Sequence, residues 1–201
     1  MAVRVRLTKN ELKKQKDALK MYQRYLPTLI LKKQQLQMEI RQTELRIHKL
    51  QEEKKKFDEE FKAWIAVFGE KGIFTPDILK VIEIMTDEGN IAGVPIPIFK
   101  GAKFEVSHYD LIRTPLWIDI AVEKLKQVML LDLESQVLEE QRKRLDRELK
   151  ITTQRVNLFE KIKIPETKGN IKKIRVYLGD QQTAAVVRGK IAKRGLAKAA
   201  Q

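Results

Sequence analysis

His48 and His108 are the only imidazoles in the 201-residue chain, and cysteine is absent. A metal centre needs three or four His, Cys or carboxylate groups converging at ligand spacing. Neither histidine belongs to such a cluster. His48 adjoins Ile47, an apolar seam position described below, and is expected on a solvated flank. Gly189-Lys190-Ile191 carries the Gly-Lys pair of a phosphate-binding loop but lacks the upstream glycine and the following Ser/Thr. Gly69, Gly72, Gly89 and Gly93 form no dinucleotide fingerprint. The carboxylates Glu52, Glu53, Asp58, Glu59, Glu139 and Glu140 could serve acid–base chemistry if paired in a cleft. Here they interleave with lysine and arginine at helical spacing, which describes a solvated face with i,i+4 pairs. No catalytic residue, cofactor or metal is expected.

Charge is the chemistry that remains. The formal net charge is +14. Residues 1–20 hold Arg4, Arg6, Lys9, Lys13, Lys14, Lys16 and Lys20 against Glu11 and Asp17, and residues 181–201 hold Arg188, Lys190, Lys193, Arg194 and Lys198 against no acid. If the chain folds back on itself, both basic ends meet at one tip. Such a tip favours an acidic partner, protein or nucleic acid. The basic groups lack interleaved aromatics, and no nucleic-acid reader motif appears. A basic coiled-coil scaffold or nucleic-acid-binding protein is therefore the alternative reading. The absence of cysteine fits a reducing compartment. The start lacks the apolar stretch of a signal peptide. No apolar run is long enough for a membrane span, so no direct membrane insertion is expected.

The elements that carry these charges are read from a seven-residue rhythm. One core position recurs as Val5, Leu12, Leu19, Leu26, Lys33, Ile40, Ile47, Lys54, Phe61 and Phe68. The other recurs as Thr8, Gln15, Tyr22, Leu29, Leu36, Thr43, Leu50, Phe57 and Trp64. Fourteen of these nineteen sites are apolar or aromatic, enough to predict a helix from a Thr8 cap to about Gly69, roughly 90 Å long at 1.5 Å per residue. A 3.5-residue period implies left-handed winding about a partner helix. Pro27 removes one hydrogen bond and predicts a bent but continuous helix, its ring facing solvent.

A second stripe runs through Trp117, Ala121, Lys124, Val128, Leu131, Ser135, Leu138, Arg142, Leu145, Leu149, Thr152, Val156 and Phe159, opened by Thr114-Pro115. Pro165 and Gly169 interrupt it, and Ile171, Ile174 and Leu178 resume it in a shifted frame. The tail beyond Gly179 is expected to be helical only when bound, or frayed. Lys33, Thr43, Lys54 and Arg142 are polar seam positions. They fix register or reach for solvent; otherwise they mark where a second protein packs.

Between the stripes, Thr75-Pro76-Asp77 with Ile78, Leu79, Val81, Ile82 and Met85 reads as a small helix over 76–88 closed by Gly89. Residues 91–109 read as a β-hairpin turning at Lys100-Gly101, with Pro95 and Pro97 on a blocked edge. Val94, Ile96, Ile98 and Phe99 are too apolar for a free hairpin, so either the small helix or a partner covers them. Phe57, Phe61, Trp64 and Phe68 are expected to pack the seam's end against the insert, with Trp117.

The fold class is therefore mainly α: a long antiparallel intramolecular left-handed coiled coil with a small helix plus β-hairpin insert at the turn. Its parts are an N-terminal helix (1–69), the insert (70–113), a C-terminal helix (114–180) and a basic tail (181–201). Its core is Leu12, Leu19, Tyr22, Leu26, Leu29, Leu36, Ile40, Ile47, Leu50, Leu131, Leu138, Leu145, Leu149, Val156 and Phe159. Facing residue numbers should sum to about 183, from equal rise per residue. Leu12 then lies near Ile171, and Tyr22 or Leu26 near Val156 and Phe159.

This layout resembles the D subunit of the vacuolar/archaeal-type rotary ATPases, including those of bacteria. The resemblance rests on Leu7-Thr8-Lys9 with Leu12, Leu31-Lys32-Lys33-Gln34-Gln35-Leu36, and Ile91-Ala92-Gly93-Val94-Pro95-Ile96-Pro97. It rests above all on Arg155-Val156-Asn157-Leu158-Phe159-Glu160 running to Ile164-Pro165, then Ile171-Lys172-Lys173-Ile174-Arg175 and Leu178-Gly179-Asp180. Order and spacing match along nearly the whole chain; the family's usual acidic and aromatic stretch after Asp180 is replaced by Gln181 to Val187.

The resemblance implies a non-catalytic central-stalk rotor shaft that transmits torque between a catalytic hexamer and a membrane ion-translocating ring, without a cofactor. Its implied partners are the catalytic and nucleotide-binding subunits of the hexamer, the small F subunit of the central stalk and the rotor-cap C subunit on the membrane ring. Nucleic acid is not among them. Arg4, Arg6, Lys9, Lys13, Arg175, Arg188, Lys190, Lys193 and Arg194 would face the hexamer, and Val94, Ile96, Ile98 and Phe99 the membrane-side partners. The implied location is cytoplasmic, peripheral to the membrane's cytoplasmic face.

Overall fold

A computed structural model describes residues 5–68, 78–107 and 117–199. The order is helix α1 (Lys9–Phe68), strands β1 (Leu79–Ile91) and β2 (Val94–Val106), helix α2 (Trp117–Asn157), a π-helical segment (Leu158–Lys163) and helix α3 (Ile164–Ala199). The protein is thus mainly helical, with two long helical stretches that pack together. The chain divides into two compact units, one of residues Lys33–Ile151 and one of Met1–Lys32 with Thr152–Gln201.

α1 starts where its cap dictates. The Thr8 hydroxyl accepts the Glu11 backbone N–H at 3.3 Å, and the Thr8 carbonyl accepts the Leu12 N–H at 2.9 Å. These bonds satisfy donors that a helix start leaves open. Glu11 does not complete a capping box; its carboxylate accepts from Gln15 Nε2 at 2.9 Å. Pro27 stays inside the helix with its ring exposed. The Thr28 hydroxyl donates to the Tyr25 carbonyl at 2.8 Å.

In the unit of residues 33–151, α1 and α2 are antiparallel. Leu36 and Ile40 share a core with Leu145 and Leu149. Further along, Lys54 Nζ meets Asp132 Oδ1 at 2.6 Å, and Lys124 Nζ lies 6.0 Å from the Phe57 ring centroid. Numbers rise on one helix as they fall on the other, within a few residues of the expected register. Leu36 and Leu145 are fully buried, each contributing about 2–3 kcal/mol.

The insert differs from its expected form. Within the predicted helix 76–88, the residues from Leu79 onward are strand, and β1 pairs with β2 from Leu79↔Val106 to Ile91↔Val94. The turn is Ala92-Gly93, not Lys100-Gly101. Ala92 and Gly93 have φ of 52° and 80°, the two positive values of a type I′ hairpin turn. Asn90 Oδ1 accepts the Gly93 N–H at 2.9 Å and locks it. Gly101, at φ 147°, sits beside a register shift in β2, with Lys100 as the extra residue. Val81, Ile82 and Ile84 are β-branched, so they suit a pleated ribbon better than a helix.

The hairpin is held at both ends. Val94 and Ile96 enter the Leu36–Ile40–Leu145 core, while Ile78 and Leu79 pack on Ile118 and Val122. The lengths agree: β1 spans ~40 Å at 3.3 Å per residue, and α2 rises ~40 Å from Ile118 to Leu145. Trp117 packs in the second cluster, on the insert side of α2. The side chains of Phe61, Trp64 and Phe68, and the caps at Thr75-Pro76 and Thr114-Pro115, lie outside the described residues.

In the other unit, Tyr22 stacks on Phe159, with ring centroids 5.3 Å apart and planes at 26°. This is one of the pairings the register predicts. Pro165 does not end the helix. Its missing N–H is accommodated by the preceding π segment, where the Ile164 N–H bonds to the Phe159 carbonyl five residues back. A π turn takes up one residue more than an α turn. The seam frame that runs through Thr152, Val156 and Phe159 would continue at Glu166, Asn170, Lys173 and Tyr177. Instead Thr167, Ile171 and Ile174 are buried and Leu178 half-buried, each one residue later. The shifted frame is this one-residue step. α3 then continues through Gly169, Gly179, Gly189 and Gly195 to Ala199, where the sequence predicts fraying.

Gly93→Ala should cost about 1 kcal/mol, because a Cβ there meets open space but an unfavourable φ. Gly179→Ala, in an open helical position, should instead gain about 0.5–1 kcal/mol. Thermal unfolding of the two variants tests both signs. Deleting Glu160 together with Pro165→Ala should convert the π segment to α-helix and keep the seam, with stability within about 1 kcal/mol of the parent. Deleting Lys143 from regular helix should turn the following stripe out of the seam and cost more than about 3 kcal/mol in urea unfolding.

Candidate partner-binding surfaces

The fifteen core residues named from the sequence are all buried or half-buried. Leu36, Ile40, Ile47, Leu138, Leu145 and Val156 are buried, and Leu12, Leu19, Tyr22, Leu26, Leu29, Leu50, Leu131, Leu149 and Phe159 are half-buried. The seam's polar positions are mostly satisfied at home. The buried Thr43 hydroxyl donates to the Glu39 carbonyl at 2.9 Å, and the buried Thr167 hydroxyl to the Lys163 carbonyl at 2.6 Å. Lys54 reaches Asp132, and this hydrogen bond raises the lysine's pKa above its ordinary 10.5. Arg142 is the exception: its Nε is buried with no hydrogen-bond partner among the described residues.

Val94 and Ile96 are not free for a partner. They are only 7% and 5% exposed, because the chain's own two long helices cover them. Ile98 is 42% exposed, and Phe99 is half-buried. The blocked proline edge also faces the chain itself. Residues two apart in a strand aim their carbonyls the same way, and residues three apart on a helix share a face. Gln141 Nε2 accordingly donates to the Pro97 carbonyl, and Arg144 Nη1 to the Pro95 carbonyl at 3.4 Å. Arg144 Nε also holds Glu140 at 3.0 Å, and this bond lowers the Glu140 pKa. The sequence reading missed Gln141 and Arg144; their three-residue spacing against Pro95 and Pro97 was the available signal. On the hairpin's exposed surface, Lys100 pairs with Asp87 at 2.7 Å and Lys103 with Glu83 at 2.8 Å. The Lys100 hydrogen bond, then the Glu88 N–H, lowers the Asp87 pKa.

The basic ends remain accessible. Arg6, Lys9, Lys13, Arg175, Arg188, Lys190, Lys193 and Arg194 are exposed, and Arg4 lies outside the described residues. Residues 179–196 are exposed throughout, including Val186, Val187, Ile191 and Leu196. A cleft of about 380 Å³ lies between α1 and the π–α3 stretch, lined by Arg6, Glu11, Tyr22, Lys163 and Glu166 among others. Its cations and acids balance. His48 is exposed and 3.3 Å from Glu52, one turn on; His108 lies outside the described residues. Among the described residues no three His or carboxylate groups could hold a metal ion, and no helix is long and apolar enough to cross a membrane.

A family model for the ATP synthase D subunit matches residues 11–194. The chain belongs to the ATP synthase D subunit family. The match runs from the first turn of α1 to the last turns of α3, so the hairpin, the π segment and the basic residues up to Arg194 are all inside it. The D subunit of the Borreliella burgdorferi V-type ATP synthase is 53% identical over 195 residues, covering 97% of this chain and 96% of that one. The V-type D subunit of Chlamydia pneumoniae is 36% identical over 197 residues, covering 96% and 94%. That of Chlamydia trachomatis serovar L2 is 33% identical over 202 residues, covering 96% and 97%.

Lys54→Met should lower stability at neutral pH by less than about 1 kcal/mol, since both partners are partly exposed. The folded lysine has the raised pKa, so this difference is present below pH 10.5. It should vanish as pH climbs through the raised value. Urea unfolding of parent and variant along a pH series checks both statements.

Proposed function

We propose that this chain is the central-stalk rotor shaft of a V-type rotary ATP synthase, carrying torque between a nucleotide-hydrolysing hexamer and a membrane ring. It is a non-catalytic subunit. The observation that carries this reading is the D subunit family match over residues 11–194, laid on an antiparallel pair of helices whose last element outruns its partner. α1 begins at Lys9, which the register sets opposite the first half of α3, and α3 continues to Ala199 with residues 179–196 exposed. An exposed basic helix of that length suits insertion into the hollow of a ring with an acidic or polar lining.

The seven-residue apolar period supports a left-handed supercoil in the seam. Interdigitated side chains in such a seam resist relative sliding, which a shaft under load requires. Arg6, Lys9, Lys13, Arg175, Arg188, Lys190, Lys193 and Arg194, with Arg4, are the proposed hexamer contacts. Ile98 and Phe99 are the insert residues left to meet a membrane-side or stalk partner, the small F subunit or the rotor-cap C subunit. The proposed location is the cytoplasmic face of the membrane, as a peripheral subunit.

Purification of the tagged chain from its native cell should bring down the hexamer. In complexes reassembled with a chain ending at Asp180, ATP hydrolysis should persist while ion pumping falls at least about tenfold, a coupling loss of about 1.4 kcal/mol or more. Circular dichroism of the shortened chain should show a fold otherwise intact. Full pumping by that truncation would sink the role given to residues 181–201. Salt-sensitive binding of duplex DNA in place of the hexamer would favour the nucleic-acid alternative.

A further inference from the structure

A second groove, of about 460 Å³, flanks the seam in the unit of residues 1–32 and 152–201. α1 lines it with Lys16, Leu19 and Lys20, and α3 with Lys168, Ile171, Lys172, Arg175 and Val176. Its floor is aliphatic. Ile171 is buried, Leu19 half-buried, and Val176 stands 58% exposed at the rim. Its rims carry five cations and no acid. None of the five makes an ion pair or hydrogen bond among the described residues. The cleft beside Tyr22 contrasts with it, because Glu11 and Glu166 there answer Arg6 and Lys163.

Spacing explains how the groove arises. Positions 168, 172 and 175 on α3 recur at one helical turn, and so do 16 and 20 on α1. Two antiparallel helices therefore present two facing basic rims above the seam's own aliphatic edge. Five like charges within about a Debye length of each other repel. Among the described residues no acid lines the groove to relieve this repulsion.

We propose that this groove seats an acidic amphipathic helical segment of a protein partner, aliphatic side chains down on Leu19, Ile171 and Val176 and carboxylates out to the lysine rims. The lined stretch from Lys168 to Val176 is ~12 Å long, about two helical turns. The aliphatic floor rewards an apolar side chain, which a phosphate backbone does not offer, and no aromatic lines the groove to stack a base. Charge complementarity and an apolar floor together select a protein helix over a polyanion. That this partner belongs to the hexamer rests on the rotor reading above; the groove's chemistry does not.

The test uses the full chain in its native complex. A zero-length carbodiimide joins a lysine amine to a carboxylate only when the two are in contact. Mass spectrometry should find Lys16, Lys20, Lys168 or Lys172 joined to Asp or Glu of one helical segment of the hexamer. The combined Lys16→Gln, Lys20→Gln, Lys168→Gln and Lys172→Gln variant should bind the hexamer at least about tenfold more weakly, with a flatter salt dependence. The control, Lys49→Gln, Lys55→Gln, Lys56→Gln and Lys62→Gln on exposed α1 positions of the other unit, should stay within about twofold. Val176→Ser should weaken binding roughly threefold without changing charge, which a purely electrostatic site would not show. If the hexamer co-purifies but the groove lysines form no such cross-links and the quadruple variant binds normally, the inference fails and the rotor reading stands. If no hexamer co-purifies, the rotor reading falls and takes this partner with it. Retained hexamer binding by the quadruple variant, with loss of binding to a 20-base-pair DNA duplex or to phosphatidylglycerol vesicles, would assign the groove to phosphates instead and overturn the proposal.

Discussion

An apolar stripe on a helix must be covered, and in this chain the cover is another stretch of the same chain running the opposite way. Leu36, Leu145 and Ile174 are fully buried, and the other seam leucines and isoleucines stand in the same two rows. With 34% charged and only 6% aromatic residues, little other apolar material exists from which to build a core. The hairpin's seat, the placement of the basic rims and the exposed end of α3 all follow from how the two rows meet.

The seam tolerates polar residues by answering them locally. Thr43 and Thr167 turn their hydroxyls onto carbonyls one turn back, the ordinary device for a hydroxyl inside a helix. Lys54 runs out to Asp132 near the surface. The π segment is the same kind of accommodation applied to the backbone. Pro165 would collide with a regular helix before it; widening Leu158–Lys163 by one residue removes the collision and advances the stripe by one position. A proline that looks like a break is thereby absorbed into a continuous helix.

The long helices were legible because a seven-residue rhythm leaves few alternatives. The Thr8 cap, the antiparallel register, the Tyr22–Phe159 neighbourhood and the shifted frame after Pro165 were all readable from residue types and spacing. The hairpin was half legible. Thr75-Pro76-Asp77 is a strong helix-start signal, and Ile78, Leu79, Val81, Ile82 and Met85 also satisfy helical spacing, so local chemistry favoured the wrong element. The true turn was masked because Ala92 occupies a positive-φ site where Asn or Gly is usual, while its stabilising Asn90 sits two residues earlier. Lys100-Gly101 carried the turn signature but serves a bulge. Of the candidate surface, the basic termini were legible as charge. The division into a balanced cleft and an unbalanced groove was not, because it depends on which lysines share a side of the seam.

The hairpin tip is lodged among residues of both long helices at once, Val94 and Ile96 against Leu36, Ile40 and Leu145. Shearing those two helices past each other there would have to drag the ribbon along or tear it from its seat. Among the described residues of the 1–32 and 152–201 unit, no such third strut lies against the helices. Elastic give should consequently be graded within a single molecule: stiff where the ribbon clamps both helices, and more compliant where two helices alone share the load.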